Sequence, residues 1–223
     1  MNTDRKIRSY VLRQGRMSRL QTASYEKLKS VYCVPFIPGK IDFKELFPET
    51  GDVIIEIGFG MGTATADIAE KNRDKNYLGI EVHTPGVGKL LSEIEGRRLN
   101  NVRIIQHDAA EVIRIMIPDK SIQGFHIFFP DPWPKKKHHK RRLIQHPFTV
   151  LLTEKLTDKG YIYMATDWQE YAEQMEKCVS EIKRLLYPVP ESDSFKPWRP
   201  ETKFERKGMS QGHGIYEIFT VKN

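Results

Sequence analysis

Short apolar runs alternate with amphipathic stretches between residues 52 and 185, and this alternation constrains the fold more than any other feature of the chain. The runs predict five buried strands, at residues 53–57, 77–82, 102–106, 122–129 and 161–166. The amphipathic stretches predict helices at residues 63–71, from 84, and at 109–116, 148–156 and 168–185. Strands that alternate with helices at this spacing form a parallel sheet covered by helices on both faces.

Local signals predict several helix ends. Thr63 is the expected N-cap of the first helix, because its hydroxyl can accept a hydrogen bond from the first turn. Pro85 follows Thr84 and suits the first position of the second helix. The Asp-Lys-Gly sequence at residues 158–160 predicts a stop between the 148–156 helix and the fifth strand.

The two ends of the chain depart from the alternation. After a proline-rich loop at 187–200, the run 215–222 predicts a closing strand with no helix behind it. The expected fold class is therefore α/β, a Rossmann-like doubly wound and mostly parallel sheet with an antiparallel C-terminal edge strand. Residues 1–40 are rich in Lys and Arg without clean periodicity, which predicts a basic arm, partly disordered when free, before a single domain at 41–223.

Charge and cysteine content narrow the partners and the compartment. Thirty-six Lys and Arg against 29 Asp and Glu leave a net charge of +7, which favours nucleic acid as a partner. The sequence has no run of about 18 apolar residues and predicts no membrane span. Cys33 and Cys178 are too few for a metal cage or a disulfide framework, so we expect a cytoplasmic protein without a metal. We expect no obligatory protein partner.

A glycine-rich motif, Glu56-Ile-Gly58-Phe-Gly60-Met-Gly62, ends the first predicted strand. Glycines at a strand-to-helix turn let a ligand approach the backbone, and ligands of doubly wound sheets bind beyond the carboxyl ends of the strands. A dinucleotide fingerprint needs a third glycine at position 63, where this chain has Thr63. The motif predicts a ligand site at Gly58 and disfavours a nicotinamide dehydrogenase.

Three acidic residues, Glu56, Glu81 and Asp108, stand at or just past the ends of the first three predicted strands. Adjacent ribose hydroxyls offer two donors to one carboxylate, which suits Glu81. The exocyclic amine of adenine is also a donor, which suits Asp108. Each acid alone could cap a helix or lie in a solvated loop, but the three together indicate a nucleoside-containing ligand.

A second motif, FFPDPWPKKKHHKRR at residues 128–142, leads from the fourth predicted strand into a basic stretch. Pro130 and Pro132 restrict the backbone around Asp131, which helps to hold its carboxylate beside a reacting group. The basic residues can bind phosphates, and Trp133 can either stack on a base or pack against the sheet. A basic run is often only a solvated face, but this one adjoins the predicted ligand site.

These motifs together resemble the bacterial tRNA (guanine-N7-)-methyltransferase family. The resemblance is carried by EIGFGMG, by GIEVH at 79–83, by QHDA at 106–109, by FFPDPWPKKKHHKRR, by TD at 166–167, by TKFE at 202–205 and by RSYVLRQGRMS at 8–18. The match covers nearly the whole chain, and the second motif and TKFE are its most specific parts. The resemblance implies methyl transfer from S-adenosylmethionine to N7 of a guanine in the variable loop of tRNA, at position 46.

The resemblance also implies roles for individual residues. Asp131 would be the catalytic residue, between cofactor and guanine. The residues implied to contact S-adenosylmethionine are Glu56, Gly58, Glu81, Asp108 and Asp131. Those implied to hold the substrate are Lys135, Asp167, Thr202, Lys203, Phe204 and Glu205. Those implied to meet RNA are Lys137, His138, His139, Lys140, Arg141 and Arg142.

The chemistry of guanine N7 sets modest demands on such a site. N7 has a free lone pair at neutral pH, so methyl transfer needs in-line placement rather than a strong base. The ring becomes cationic, and a nearby carboxylate stabilises that charge. A second carboxylate, Asp167 or Glu205, can accept from N1–H and the exocyclic amine and so select guanine. A further role expected for Asp167 is to cap the helix that the sequence predicts from Trp168.

Two other functions remain open at this point. An amino-group RNA methyltransferase also places a short proline-aromatic motif after the fourth strand, and Pro130-Asp131-Pro132-Trp133 is similar to it. A non-catalytic RNA-binding module with a Rossmann-like fold is the alternative from another class. The complete set of glycines and acids disfavours the module, and identification of the methylated atom separates the two enzymes.

Overall fold

The computed structural model describes residues 7–11, 15–186, 199–200, 205 and 214–223. Its strands are β1 Val53–Ile57, β2 Asn76–Ile80, β3 Val102–Ile105, β4 Ile122–Phe128, β5 Leu156–Thr166, β6 Leu185–Leu186 and β7 Tyr216–Lys222. Its α-helices are α1 Arg19–Tyr32, α2 Phe43–Leu46, α3 Thr63–Lys71, α4 Thr84–Arg97, α5 Ala109–Ile115, α6 His146–Lys155 and α7 Gln169–Ser180. A 3-10 helix spans Lys136–Arg141. None of these helices is both long and apolar enough to cross a bilayer.

The seven strands form one sheet in the order β3-β2-β1-β4-β5-β7-β6. Strands β1 to β5 are parallel, whereas β7 is antiparallel to both β5 and β6. The predicted fold class is confirmed, with one refinement: β7 is covered on its outer side by the two-residue β6. The strand order reverses between β1 and β4, and this switch point is where doubly wound sheets bind ligands.

Apolar side chains bury both faces of the sheet. Along β1, Ile55 and Ile57 belong to one buried cluster and Ile54 to the other, because alternate residues of a strand face opposite sides. Glu56 therefore points to the same side as Ile54, and it is buried there. The strand thus carries a carboxylate into the interior directly before the glycine motif.

Three predicted element ends are wrong. The N-cap of α3 is Gly62 and not Thr63, which is the first helical residue. Strand β5 follows α6 directly, and the predicted stop at 158–160 lies within β5, where the pairing with β4 shifts register and Lys159 adopts a left-handed conformation (φ 62°). The last helix ends at Ser180 instead of continuing to 185. The apolar pattern continues beyond it, but Leu185 pairs with β7 instead.

Helix α1 lies within residues 1–40, for which the sequence predicts an irregular basic arm. Ser18 and Gln21 form a capping box at its start. Its buried residues are Gln21, Ser24 and Leu28, so the buried face is mostly polar and leaves no apolar periodicity to detect. The helix packs on α4 at Gly88, where an added Cβ would lie 2.8 Å from the Gln21 carbonyl oxygen. The division of the chain at residue 40 remains a prediction.

Two hydrogen bonds join α1 to the carboxyl edge of the sheet. Gln21 donates to the Pro85 carbonyl at 3.1 Å. Tyr25 donates to Gln106 Oε1 at 2.7 Å, and Gln106 donates in turn to the Thr84 hydroxyl at 2.8 Å. Helix α1 therefore stabilises the positions of both the start of α4 and the end of β3.

Candidate active site

The glycine loop, residues 58–62, connects β1 to α3. Gly58 and Gly60 have φ angles of +74° and +58°, which side chains other than glycine rarely adopt. A Cβ added at Gly58 would meet no atom within 4 Å, so the backbone there is open to a ligand. On the other side, Gly86 of α4 lies so close that a Cβ there would be 2.0 Å from the Gly60 carbonyl oxygen. The glycine loop thus packs against α4 at Gly60 and is open to a ligand at Gly58.

Glu81 follows β2 and holds the glycine loop. Its Oε2 accepts from the Gly60 N–H at 2.9 Å, and its Oε1 accepts from the N–H groups of Val82 and His83 at 2.7 and 3.0 Å. A carboxylate can accept about four hydrogen bonds, so Oε2 retains capacity for a hydroxyl donor. The carboxylate predicted to bind ribose therefore also orders the backbone around it.

Glu56 is a buried carboxylate, 4% exposed. Among the residues that the structure describes, no group donates a hydrogen bond to its Oε2. Burial raises the pKa of Glu56 to about 7, and the nearby charge of Glu81 acts in the same direction. A buried acceptor without a donor fits a cationic ligand group, such as the ammonium group of S-adenosylmethionine.

Asp108 is the N-cap of α5, where its Oδ1 accepts from the Glu111 N–H at 3.1 Å. It also lines a cleft of about 520 Å³ together with Val82, Gln106 and Gln145. Residues 7–10 and Arg141 form another wall of this cleft, and the glycine loop does not line it. Asp108, the predicted adenine contact, thus lines a cavity large enough for a purine ring. It also caps α5.

Asp131 lies exposed in the proline loop, residues 129–134, which follows β4. Two bulky residues of this loop, Phe129 and Trp133, adopt left-handed conformations with φ angles of +52° and +46°. Such strain costs on the order of 1–3 kcal/mol per residue and persists only where contacts enforce it. The Phe129 N–H donates to the Ala165 carbonyl at 2.8 Å. The loop is therefore held in one shape around the carboxylate.

Trp133 packs against the protein instead of projecting as a free stacking platform. Its Nε1 donates to the Ser9 carbonyl at 3.0 Å, and the Arg141 guanidinium lies 4.2 Å from its ring centroid. Arg141 Nε donates to the Arg8 carbonyl at 3.2 Å. The sequence left packing and base stacking open for Trp133, and these contacts favour packing.

The basic stretch after the proline loop is the 3-10 helix. Lys135, its N-cap, is exposed, as are Lys137 and Lys140, and all three are available to phosphates. His138 and His139 are partly buried, and the His138 ring packs edge-on against Trp133 at 5.9 Å.

Arg142 does not fit its predicted role as an RNA contact. Only 3% of the residue is exposed, so its guanidinium cannot reach a phosphate. Its Nε donates to the Pro132 carbonyl, and its Nη1 donates to Gln174 Oε1, both at 2.8 Å. The basic stretch thus contains both exposed cations and one internal support of the proline loop.

Asp167 follows β5 and lines the acidic cavity. This cavity measures about 460 Å³ and is lined by Asp167, Trp168, Gln169, Glu170, Glu173, Gly214 and Tyr216. The alternative that Asp167 caps α7 is wrong, because the N-cap is Trp168, whose N–H donates to the Thr166 hydroxyl. A carboxylate beside two aromatic rings is suited to a planar base that donates hydrogen bonds.

Glu205 is bound by Arg199, a buried residue that no sequence signal had indicated. Arg199 Nη2 donates to Glu205 Oε1 at 2.8 Å, and Nη1 donates to Oε2. Arg199 Nε also donates to Glu217 Oε1 at 2.6 Å, and its guanidinium lies 5.5 Å from the Phe129 ring centroid. Glu205 is thus part of an ion-pair network beneath the proline loop. Thr202, Lys203 and Phe204 lie outside the described residues.

Comparison with known proteins adds independent information. Residues 50–218 match a family model described as "Putative methyltransferase". The "tRNA (guanine-N(7)-)-methyltransferase" of Methylobacillus flagellatus is 50% identical over 216 residues, 96% of this chain and 90% of that protein. The protein of the same name from Nitrosomonas europaea is 45% identical over 222 residues, 100% of this chain and 99% of that protein.

Solved structures resemble the chain in fold alone. The aminoglycoside resistance methyltransferase NpmB1 has a TM-score of 0.52 at 13% identity, over 81% of this chain and 92% of that one. The geranyl diphosphate C-methyltransferase of Streptomyces coelicolor A3(2) has a TM-score of 0.54 at 9% identity, over 94% of this chain and 95% of that one. Both similarities support the α/β fold described above.

Proposed function

The chain belongs to the tRNA (guanine-N7-)-methyltransferase family, and we propose on that premise that its site transfers the methyl group of S-adenosylmethionine to N7 of guanine 46 in the variable loop. The observation that carries the assignment of residues is the adjacency of β1, β4 and β5 in the sheet. Their parallel carboxyl ends carry the glycine loop, Asp131 and Asp167 in that order, and neighbouring strands lie about 4.8 Å apart. Asp131 therefore stands between the cofactor side and the guanine side.

Three carboxylates support cofactor binding at the first strand ends. Glu56 offers a buried oxygen to the ammonium group, Glu81 accepts from the ribose hydroxyls, and Asp108 accepts from the adenine amine. The open face of Gly58 leaves room for the ligand next to the backbone. When bound, S-adenosylmethionine supplies an electrophilic methyl group on a sulfonium.

The proposed role of Asp131 is electrostatic. Guanine N7 carries its lone pair at neutral pH, so no side chain has to remove a proton before transfer. The carboxylate instead stabilises the positive charge that develops on the ring, and it does so without reorganising because the strained proline loop already holds it.

Asp167 is the better candidate for reading the guanine edge. Arg199 binds both carboxylate oxygens of Glu205 and holds them in an ion pair beneath the proline loop. Asp167 lines the acidic cavity together with the aromatic residues Trp168 and Tyr216. Its carboxylate can accept from N1–H and the exocyclic amine of guanine, and adenine lacks that pair of donors.

Exposed residues of the basic stretch support binding of the tRNA backbone. Lys135, Lys137 and Lys140 are the exposed proposed contacts, and the half-buried His138, His139 and Arg141 are proposed contacts beside them. Thr202, Lys203 and Phe204 remain predicted substrate contacts. We propose the cytoplasm as the compartment, since tRNA is the substrate and both cysteines are free thiols.

Nucleoside analysis tests the proposal directly. The full-length chain is incubated with unmodified tRNA transcript and methyl-labelled S-adenosylmethionine, and the digested nucleosides are separated. We expect 7-methylguanosine, and none from a transcript in which guanine 46 is replaced by adenine. A methylated exocyclic amine would support the amino-group enzyme, and failure to bind the cofactor would support the RNA-binding module. Label retained in the substituted transcript would contradict position 46.

A further inference from the structure

Arg142 closes the basic stretch, yet its side chain is only 1% exposed, whereas Lys137 and Lys140 face solvent. A guanidinium withdrawn from water is costly unless its N–H groups are hydrogen-bonded. Because it cannot bind phosphate from this position, its internal contacts indicate its role.

The guanidinium joins two elements of the site. It donates to the Pro132 carbonyl in the proline loop and to Gln174 of α7, both at 2.8 Å. The Glu170 carboxylate of α7 lies 3.7 Å from Nη2, and the Tyr171 ring centroid lies 5.0 Å from Cζ. One side chain thus spans from the residue next to Asp131 to the helix that follows Asp167.

The α7 residues that contact Arg142 are themselves hydrogen-bonded to the backbone of Ile144. Tyr171 Oη accepts from the Ile144 N–H at 3.0 Å, and Gln174 Nε2 donates to the Ile144 carbonyl at 2.7 Å. Glu170 lines the acidic cavity, so a shift of α7 relative to the proline loop would alter the distance between that cavity and the loop.

We infer that Arg142 is a positioning residue that sets the proline loop, and with it Asp131, against the acidic cavity. The inference rests on the proposed function, because the spacing matters only if both act on one guanine. A guanidinium suits this task since its five donors lie in a rigid plane and point in several directions, whereas a lysine ammonium is a compact point charge. Misplacement by about 1 Å can lower a rate by about 100-fold.

The test compares Arg142→Lys with a matched control, Arg103→Lys. Arg103 likewise donates to backbone carbonyls, at 3.0 and 2.8 Å, and stacks over Tyr32 and Phe47, but it lies on β3. We expect Arg142→Lys to lower the single-turnover rate by about 10- to 100-fold at saturating cofactor and tRNA. We expect the dissociation constants of Arg142→Lys for cofactor and tRNA to stay within about threefold of wild type. We expect the single-turnover rate of Arg103→Lys to stay within about threefold of wild type as well.

A second variant, Gln174→Met, keeps a similar side-chain volume and removes the acceptor of Arg142 Nη1, together with the Gln174 donor to the Ile144 carbonyl, while the Pro132 acceptor stays. It tests the same connection if Arg142→Lys fails to fold, and we expect a smaller loss of rate with unchanged binding. A rate within threefold of wild type in a folded variant, or equal losses in rate and tRNA affinity, would overturn the inference. Failure of the proposed function looks different, because the wild-type chain itself would then yield no 7-methylguanosine.

Discussion

Glu81 accepts a hydrogen bond from the Gly60 N–H at 2.9 Å, so the acid at the end of β2 directly holds the backbone of the glycine loop. The same carboxylate accepts from two N–H groups that lead into α4. The order of the glycine loop therefore depends on the side chain that is also the proposed ribose contact.

Replacement of Glu81 by Ala is expected to weaken S-adenosylmethionine binding. Loss of hydrogen bonds to a charged group costs about 1.5–3 kcal/mol, or about 10- to 150-fold in affinity. Titration calorimetry measures the change. Glu95→Ala on α4 is the control, since Glu95 is exposed and pairs with Lys27. Unchanged affinity in Glu81→Ala would exclude its role in the cofactor site.

Cofactor binding is expected to release a proton at Glu56 below pH 7. Burial raises the pKa of Glu56 to about 7 in the free protein, so the acid is mostly neutral at pH 6. An ammonium group favours the carboxylate and lowers its pKa, so affinity should fall by up to about tenfold per pH unit below 7. Calorimetry at pH 6 in two buffers of different ionisation enthalpy counts the protons. Glu56→Gln should abolish the release, and no difference between buffers for wild type would contradict the assignment.

His126 is expected to make stability depend on pH. The residue is fully buried, and burial lowers the pKa of its imidazole to about 3. Because this value lies below the unfolded value of about 6.5, the stability is present above pH 6.5 and is lost as pH falls toward 3, by about 1.4 kcal/mol at pH 5.5. The raised pKa of Glu56 acts oppositely, adding stability as pH falls from about 7 toward 4.5.

Urea unfolding of wild type and His126→Gln at pH 7.5 and 5.5 separates these two contributions. Glu56 is common to both proteins, so the difference between them isolates the histidine. The wild type should lose about 1.4 kcal/mol more than the variant over this interval. Equal losses of unfolding free energy in wild type and His126→Gln would mean that burial does not lower the pKa of the His126 imidazole.

Replacement of Asp131 by Ala is expected to lower the single-turnover rate by on the order of 10²–10³-fold, with little change in tRNA affinity. Asp131→Asn keeps the shape and removes the charge, so a rate near wild type for Asn would assign Asp131 to positioning alone. The pH profile should show no essential base near neutrality, since N7 needs no deprotonation. Asp74→Ala, in the exposed loop before β2, is the control. A rate within threefold of wild type for Asp131→Ala would end the catalytic assignment.

Replacement of Lys137 and Lys140 by Ala is expected to reduce the salt dependence of tRNA binding. Each lost phosphate contact should lower the slope of log K against log salt by about 0.7–0.9. Lys71→Ala, at the exposed end of α3, serves as the control. The double variant should bind more weakly at low salt and approach wild type at high salt. Identical slopes would mean that the exposed lysines do not contact phosphate.

The strands and the glycine loop were predictable because burial leaves a periodic pattern, and Val53–Ile57 matches its predicted bounds. The buried position of Arg199 and its ion pair with Glu205 were not, since an ion pair outside the regular i,i+3 or i,i+4 spacing of a helix has no spacing rule. The burial of Arg142 was not predictable for a related reason. In the sequence Arg142 is one cation among several, and only the contacts that it makes in the folded chain, with Pro132 and Gln174, distinguish it.

The packing of α1 on α4 has a consequence for how this chain can evolve. The close approach at Gly88 leaves no room for a side chain opposite Gln21, and the Tyr25–Gln106–Thr84 chain of hydrogen bonds ties the same helix to the ligand edge. A residue with a side chain at position 88 would therefore require α1 and α4 to move apart. We expect a fragment that starts at residue 41 to lose the hydrogen bonds that Gln21 and Tyr25 of α1 make to Pro85 and Gln106 at the carboxyl edge of the sheet.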